Sequence, residues 1–123
     1  MKFALADPAD GYAVSAYDAT GVVVDGRRFE SSMILMPRQI IESWPPAGFG
    51  ELNEGHFLEL AGLGTDLVLL GTGERQRFPA ASLYRPLIER RIGLEVMTTA
   101  AACRTYNILM AEGRSVAAAL LLE

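Results

Sequence analysis

The run Asp66-Leu67-Val68-Leu69-Leu70, closed by Gly71-Thr72-Gly73, constrains this chain more than any other stretch. A strand with one face in water alternates apolar and polar residues. This run has no such alternation, so it needs cover on both faces, as in a parallel sheet. The residues beyond Gly73 fit that demand. A helix is expected over roughly Ala81–Arg91, with Pro86 either in or near its first turn or kinking it, because an interior proline is costly, and with Gly93 as its stop. Glu95-Val96-Met97 reads as a short strand. A third helix begins at Thr98-Thr99 and ends on Gly113 as a left-handed cap. Val116–Leu122 returns as a last strand. Strand, helix, strand, helix, strand is the pattern of β-α-β crossovers.

The first third reads differently. Tyr12–Tyr17 alternates weakly, Asp18-Ala19-Thr20-Gly21 is a turn, and Val22-Val23-Val24 is β-branched throughout. Asp25-Gly26 is a strong two-residue hairpin signal, because a type I′ turn needs positive φ at both central positions. One strand is expected from about Arg27 to Met36, with Phe29, Ser31, Met33 and Leu35 on one face, closed by Pro37. This is an N-terminal antiparallel meander. Residues 43–50 carry two prolines and two glycines and form a loop. Trp44 within it reads as a core plug rather than a partner anchor. A short helix is expected near His56–Leu63, with Phe57, Leu60 and Ala61 inward. Together these elements make one layered α/β domain over residues 1–123, with an ordered core of about 11–122.

With 123 residues, half of them hydrophobic, the chain can bury a core without a covalent staple. A formal charge of −4 argues against nucleic acid as a partner. The charge is uneven: residues 1–70 balance at −6 and residues 71–123 at +2, and every basic residue of the second part is arginine. Cys103 stands alone, so no internal disulfide forms and a reducing compartment suits the chain. Met1–Pro8 stops being apolar too early for a secretory signal, and no apolar run is long enough to span a membrane. The expected location is cytoplasmic.

Two places could carry chemistry or contact. Gly71, Thr72 and Gly73 follow a buried strand, where backbone N–H groups can hold an anion, and Arg75 and Arg77 could add guanidinium forks for a small anionic ligand. Gln76 stands where a dinucleotide fingerprint needs glycine, and no Gly-Lys-Ser or Gly-Lys-Thr sequence occurs, so a tight turn is the competing account. On the third helix, at 100° per residue, Thr99, Ala102, Cys103, Tyr106, Leu109 and Met110 form the inward stripe. The opposite side carries Ala100, Ala101, Arg104, Ile108 and Ala111, unusually apolar for a solvated face, so either another element covers it or it is a candidate contact surface. Thr105 and Asn107 flank the stripe on opposite sides. Cys103 in mid-helix reads as a packed hydrophobe, since a nucleophile would need His56, the only histidine. One histidine and one cysteine make a zinc site improbable, and no cofactor is expected. The carboxylate pairs Glu51/Glu54 and Asp7/Asp10 read as surface charge.

Glu95-Val96-Met97-Thr98-Thr99, Arg104-Thr105-Tyr106-Asn107-Ile108-Leu109, Glu112-Gly113-Arg114 and Val116–Leu120 resemble the signature of one small family. Gly21, Ser31-Ser32, Pro37, Trp44, the Gly71-Thr72-Gly73 turn and Pro79 fall in that family's order, so the likeness runs from about Gly11 to Leu121. The family is a bacterial and archaeal domain of unknown function that includes the mitochondrial complex I assembly factor three of eukaryotes. The resemblance implies a three-layer fold with a mixed central sheet and brings no catalytic residues. For bacterial members it implies no established activity, and for mitochondrial members it implies help in assembling a respiratory complex, at a membrane, through protein contacts. The reading is therefore a non-enzymatic protein-interaction module, with a protein partner or a second copy, and a small-anion binder as the alternative.

Overall fold

The computed structural model describes residues 11–122; Met1–Pro8 and the Asp7/Asp10 pair lie outside them. The strands are β1 (Val14–Asp18), β2 (Gly21–Val24), β3 (Arg27–Phe29), β4 (Met33–Met36), β5 (Gln39–Ile41), β6 (Leu67–Gly71), β7 (Gly93–Met97) and β8 (Val116–Leu120). The helices are α1 (Glu54–Ala61), α2 (Arg85–Glu89) and α3 (Thr99–Ala111). A five-stranded sheet runs in the order β5-β4-β8-β6-β7, and β1-β2-β3 form a separate sheet. β6 pairs in parallel with both β7 and β8, while β4 runs antiparallel to β8 and to β5. The central sheet is mixed.

The uninterrupted apolar run does what its composition demands. Leu67 and Leu69 enter one core, shared with Ala102, Cys103, Tyr106 and Met110 of α3 and with Val14, Val22, Val24 and Phe29 of the small sheet. Val68 and Leu70 enter a second core on the other face, with Phe57 and Leu60 of α1, Leu87 of α2 and Trp44. Successive side chains of a strand point to opposite faces, so β6 feeds both cores. β8 divides the same way: Ala118 and Leu120 go to the α3 side, Ala117 and Ala119 to the other. β6 to β7 moves outward across the sheet and β7 to β8 moves back past β6. Right-handed crossovers in opposite directions place α2 and α3 on opposite faces. The result is three layers.

Several local expectations hold. Asp25 and Gly26 have φ of 52° and 79° and join Val24 to Arg27 as a two-residue turn. Gly113 has φ 78°; its N–H donates to Met110 O and the Arg114 N–H to Leu109 O, the cap that ends α3. Pro86 lies in the first turn of α2. Trp44 is 2% exposed, a plug in the second core.

Three expectations need correction. The strand drawn from Arg27 to Met36 is two strands in two sheets. β3 stays with the small sheet, the chain crosses at Glu30–Ser32, and β4 joins the large one. Ser32 is buried at this crossing, its carbonyl accepting from the Trp44 N–H (2.8 Å) and its hydroxyl from the Leu122 N–H (3.3 Å). Beyond Pro37 a further strand, β5, pairs Gln39 with Met36. The second helix is five residues long, and its left-handed stop is Arg91 (φ 57°) rather than Gly93. Gly93 opens β7, and a Cβ there would meet Leu67 Cδ1 at 3.1 Å.

Gly71 is the tightest joint of the sheet with α3. A Cβ built on it would lie 2.8 Å from Thr99 Cα and 3.3 Å from Ala102 Cβ, so the helix rests directly on strand backbone. Gly71→Ala should cost about 2 kcal/mol by overpacking. Gly113→Ala, with open space around its Cβ, should cost only about 1 kcal/mol through its left-handed φ. Urea unfolding of both variants checks the order; equal midpoints would show that the joint yields.

Candidate functional site

The carboxyl ends of β6, β7 and β8 meet at the N-terminus of α3, where an open α/β sheet places its crevice. The Gly71-Thr72-Gly73 turn is built into this junction. The Thr72 N–H donates to Met97 O (2.9 Å), and the Gly73 N–H donates to the Thr99 hydroxyl (2.8 Å). The Thr99 hydroxyl in turn donates to Leu121 O (2.7 Å), and its own N–H donates to Gly73 O (2.9 Å). The Thr98 hydroxyl caps α3 by accepting from the Ala101 N–H (3.2 Å). Gly73 needs its glycine for φ 90°. The N–H groups of Thr72 and Gly73 are thus committed to β7 and α3, which removes them as anion donors.

Arg75 and Arg77 do not converge on the turn's donors. Arg75 is exposed. The Arg77 guanidinium lies 4.9 Å from the centre of the Phe49 ring, and its Nη2 is 3.5 Å from Thr72 O. It braces the loop after β6 against the 3-10 turn Phe49–Glu51. A hollow of about 260 Å³ does open beside the junction, bordered by Asp18, Glu74, Thr98, Thr99 and Leu122. Its charged neighbours are carboxylates. Asp18 is held by the two-pronged Arg28 guanidinium (2.9 and 3.0 Å) and by Thr20, which together keep its carboxyl well below the usual range. An anion gains little in such a hollow.

Cys103 and His56 lie in different layers. Cys103 packs in the α3-side core, and burial pushes its thiol up to about 12, away from the reactive thiolate. His56 belongs to α1 on the opposite face of the sheet. Its Nδ1 accepts from the Asn53 N–H (3.1 Å) while the Asn53 side chain accepts from the His56 N–H (3.1 Å), a reciprocal helix cap. The sheet separates thiol from imidazole. Glu51 accepts from the Ala47 N–H and Glu54 sits in the first turn of α1, so that pair is structural as well.

The outward side of α3 is partly open. Ala100 and Ala101 are half-buried, whereas Arg104, Ile108 and Ala111 are exposed, Ile108 to 60%. The Arg104 Nη1 donates to the Tyr17 hydroxyl (2.8 Å), which fixes the guanidinium between α3 and β1. The sequence pattern does not single out Asn107 as a key residue. Angular arithmetic sets it on the flank of the stripe, yet it is buried, because the small sheet gives α3 a second neighbour. Its amide accepts from the Val14 N–H (2.9 Å) and donates to Val14 O (2.7 Å), clamping β1 to the helix. A lone amide beside an apolar stripe is the signal that could have found it. Tyr106 completes the clamp, its hydroxyl donating to Tyr12 O (2.6 Å).

Comparison with known proteins adds context to this geometry. The profile of a family described as "Protein of unknown function (DUF498/DUF598)" matches residues 14–121. NADH dehydrogenase (ubiquinone) 1 alpha subcomplex assembly factor 3 of Bos taurus is 31% identical over 110 residues, 88% of this chain and 59% of that protein. An uncharacterised protein of Rhodobacter capsulatus is 36% identical over 119 residues, 97% of this chain and 87% of the relative. A crystal structure of a Bordetella parapertussis protein superposes with a TM-score of 0.85 at 38% identity, covering 91% of this chain and 96% of that one. The chain spans about three-fifths of the length of the mammalian assembly factors it matches.

Two substitutions test the site as built. Asn107→Ala strands a buried N–H and carbonyl of Val14 and should cost about 2–4 kcal/mol in chemical unfolding. A loss below that range would mean that β1 is held by other contacts. Cys103 should label slowly in the native protein and promptly in urea. Between about pH 9 and 12 the unfolded chain loses the thiol proton while the native protein keeps it. Stability must therefore fall as pH rises through that window. Cys103→Ala, at about 1 kcal/mol, should flatten that decline. Tyr106, its hydroxyl also pushed up by burial, leaves a remainder. An unchanged slope would place the titration elsewhere.

Proposed function

The chain belongs to the DUF498/DUF598 family, shared with NADH dehydrogenase assembly factor 3, and on that premise we propose that it is a non-enzymatic protein-interaction module contacting its partner through the outward face of α3. One observation carries the reading: Ile108 is 60% exposed in the last third of a helix whose other side is rooted in the core. Around it lie Ala111, Ala100 and Ala101, small residues that let another backbone approach, and Arg104, held in place by Tyr17. An oriented arginine beside an exposed branched side chain has the composition of an interface centre. Assembly of a larger complex is the task named for the Bos taurus relative, and it needs such a surface rather than a reaction centre. A cytoplasmic setting suits the buried, unpaired Cys103.

The small-anion alternative loses its support at the Gly71-Thr72-Gly73 turn, whose donors are committed internally. What remains for Arg75 is the electrostatics of its surface, while Arg77 braces its loop against Phe49.

Ile108→Asp tests the contact face. The side chain is solvent-facing, so the variant should keep its circular dichroism and lose no more than about 0.5 kcal/mol of stability. Self-association measured by sedimentation, or capture of a bound protein, should weaken roughly tenfold or more, since a charge enters a contact that excludes water. A folded variant with unchanged mass and unchanged bound proteins would exclude α3 as the contact face.

A further inference from the structure

Residues 75–91 hold five arginines and one glutamate, a balance of +4 in a chain whose formal charge is −4, so the remainder carries −8. The same segment exposes two large apolar side chains, Phe78 at 71% and Ile88 at 57%. Its course is fixed by the fold. The Gln76 amide donates to Val96 O (2.9 Å). The Met97 carbonyl accepts from Thr72, on the β6 side, so by alternation the Val96 carbonyl points to the outer margin of β7. From there the chain enters α2, which packs Leu87 inward and leaves Arg85, Ile88 and Glu89 outward. After Arg90 and Arg91, both exposed, it returns to the amino end of β7 at Gly93. The segment thus starts beside the carboxyl end of β7, one of the two edge strands of the large sheet, and returns at its amino end, with α2 between them packed on the α1 side.

We propose that this margin is the face by which the protein adsorbs to an anionic phospholipid surface. Charge complementarity selects the occupant. A second copy meeting the same margin would set +4 against +4. An anionic surface would repel the net negative remainder of the chain and attract this segment, so the molecule would arrive in a preferred orientation. The mixture of side chains fits a headgroup layer. Guanidinium forks match phosphate oxygens, and an apolar side chain beside them reaches the acyl boundary just below. Phe78 follows Arg75 closely and Ile88 lies between Arg85 and Arg91, so each apolar side chain has an exposed cationic neighbour in sequence, while Arg77, against Phe49, and Arg90, donating to Ala61 O (3.1 Å), are engaged within the fold. The surface lies apart from the α3 face, so the two can fail separately.

The test is sedimentation of the protein with vesicles of equal phosphatidylglycerol and phosphatidylcholine, against vesicles of phosphatidylcholine alone. The wild type should pellet with the first and not the second, and added salt should release it. Neutralising three exposed arginines (Arg75→Gln, Arg85→Gln and Arg91→Asn, asparagine tolerating the left-handed backbone at that position) should weaken binding about a hundredfold. Phe78→Ser should weaken it several-fold while leaving its salt dependence in place. Ile108→Asp should bind like the wild type. Circular dichroism establishes that each variant is folded. Absence of pelleting with anionic vesicles overturns the proposal, as does pelleting that the arginine and Phe78 variants leave unchanged. Retention on immobilised polyglutamate without vesicle binding would reassign the margin to an acidic protein.

Discussion

The rest of the structure depends on the seating of the first turn of α3 on bare backbone at Gly71. With no Cβ at that position, Thr99 comes close enough for its hydroxyl to join Gly73, at the end of β6, to Leu121, just beyond β8. One side chain thereby ties the helix to two neighbouring parallel strands at the end where their order reverses. Each buried N–H and carbonyl in the joint has its partner, as a low-dielectric site requires. The glycines that suggest a ligand loop instead allow this close contact, and the Thr99 hydroxyl completes it.

A sheet covered on both faces has a chemical consequence. It divides the interior into two cores, with Cys103 in one and His56 at the rim of the other. Burial raises the thiol's pKa, while the imidazole nitrogen serves a helix cap. The groups best suited to nucleophilic chemistry are held apart by five strands and occupied in packing and capping. What the described surface offers is shape and charge: an exposed Ile108 beside an anchored Arg104, and an arginine-rich margin on the far side of the sheet.

The charge asymmetry works with this layering. The carboxylates Asp18 and Glu74 border the hollow at the strand ends, while Arg75, Arg85, Arg90 and Arg91 are exposed along the segment that joins β6 to β7. Opposite signs on different sides of a small protein give it an orientation in any external field.

Local physics made much of this fold legible in the sequence alone. The apolar run before Gly71 required two covered faces, Asp25-Gly26 required a two-residue hairpin, and Pro86 and Gly113 marked the start and end of their helices. The inward stripe of α3 followed from 100° per residue, and Trp44 from its size. All of these depend on neighbours within a few residues. Tertiary structure alone decided which partner each element met. It split the strand at Glu30–Ser32 between two sheets, paired β4 with β8, and brought the small sheet beside α3, turning Asn107 from a flank residue into a buried clamp. It also turned the Gly71-Thr72-Gly73 donors inward. Those outcomes rest on contacts between residues 22 to 93 positions apart, and the energy of such a contact is set by the packing of the partner that arrives, which no local pattern encodes.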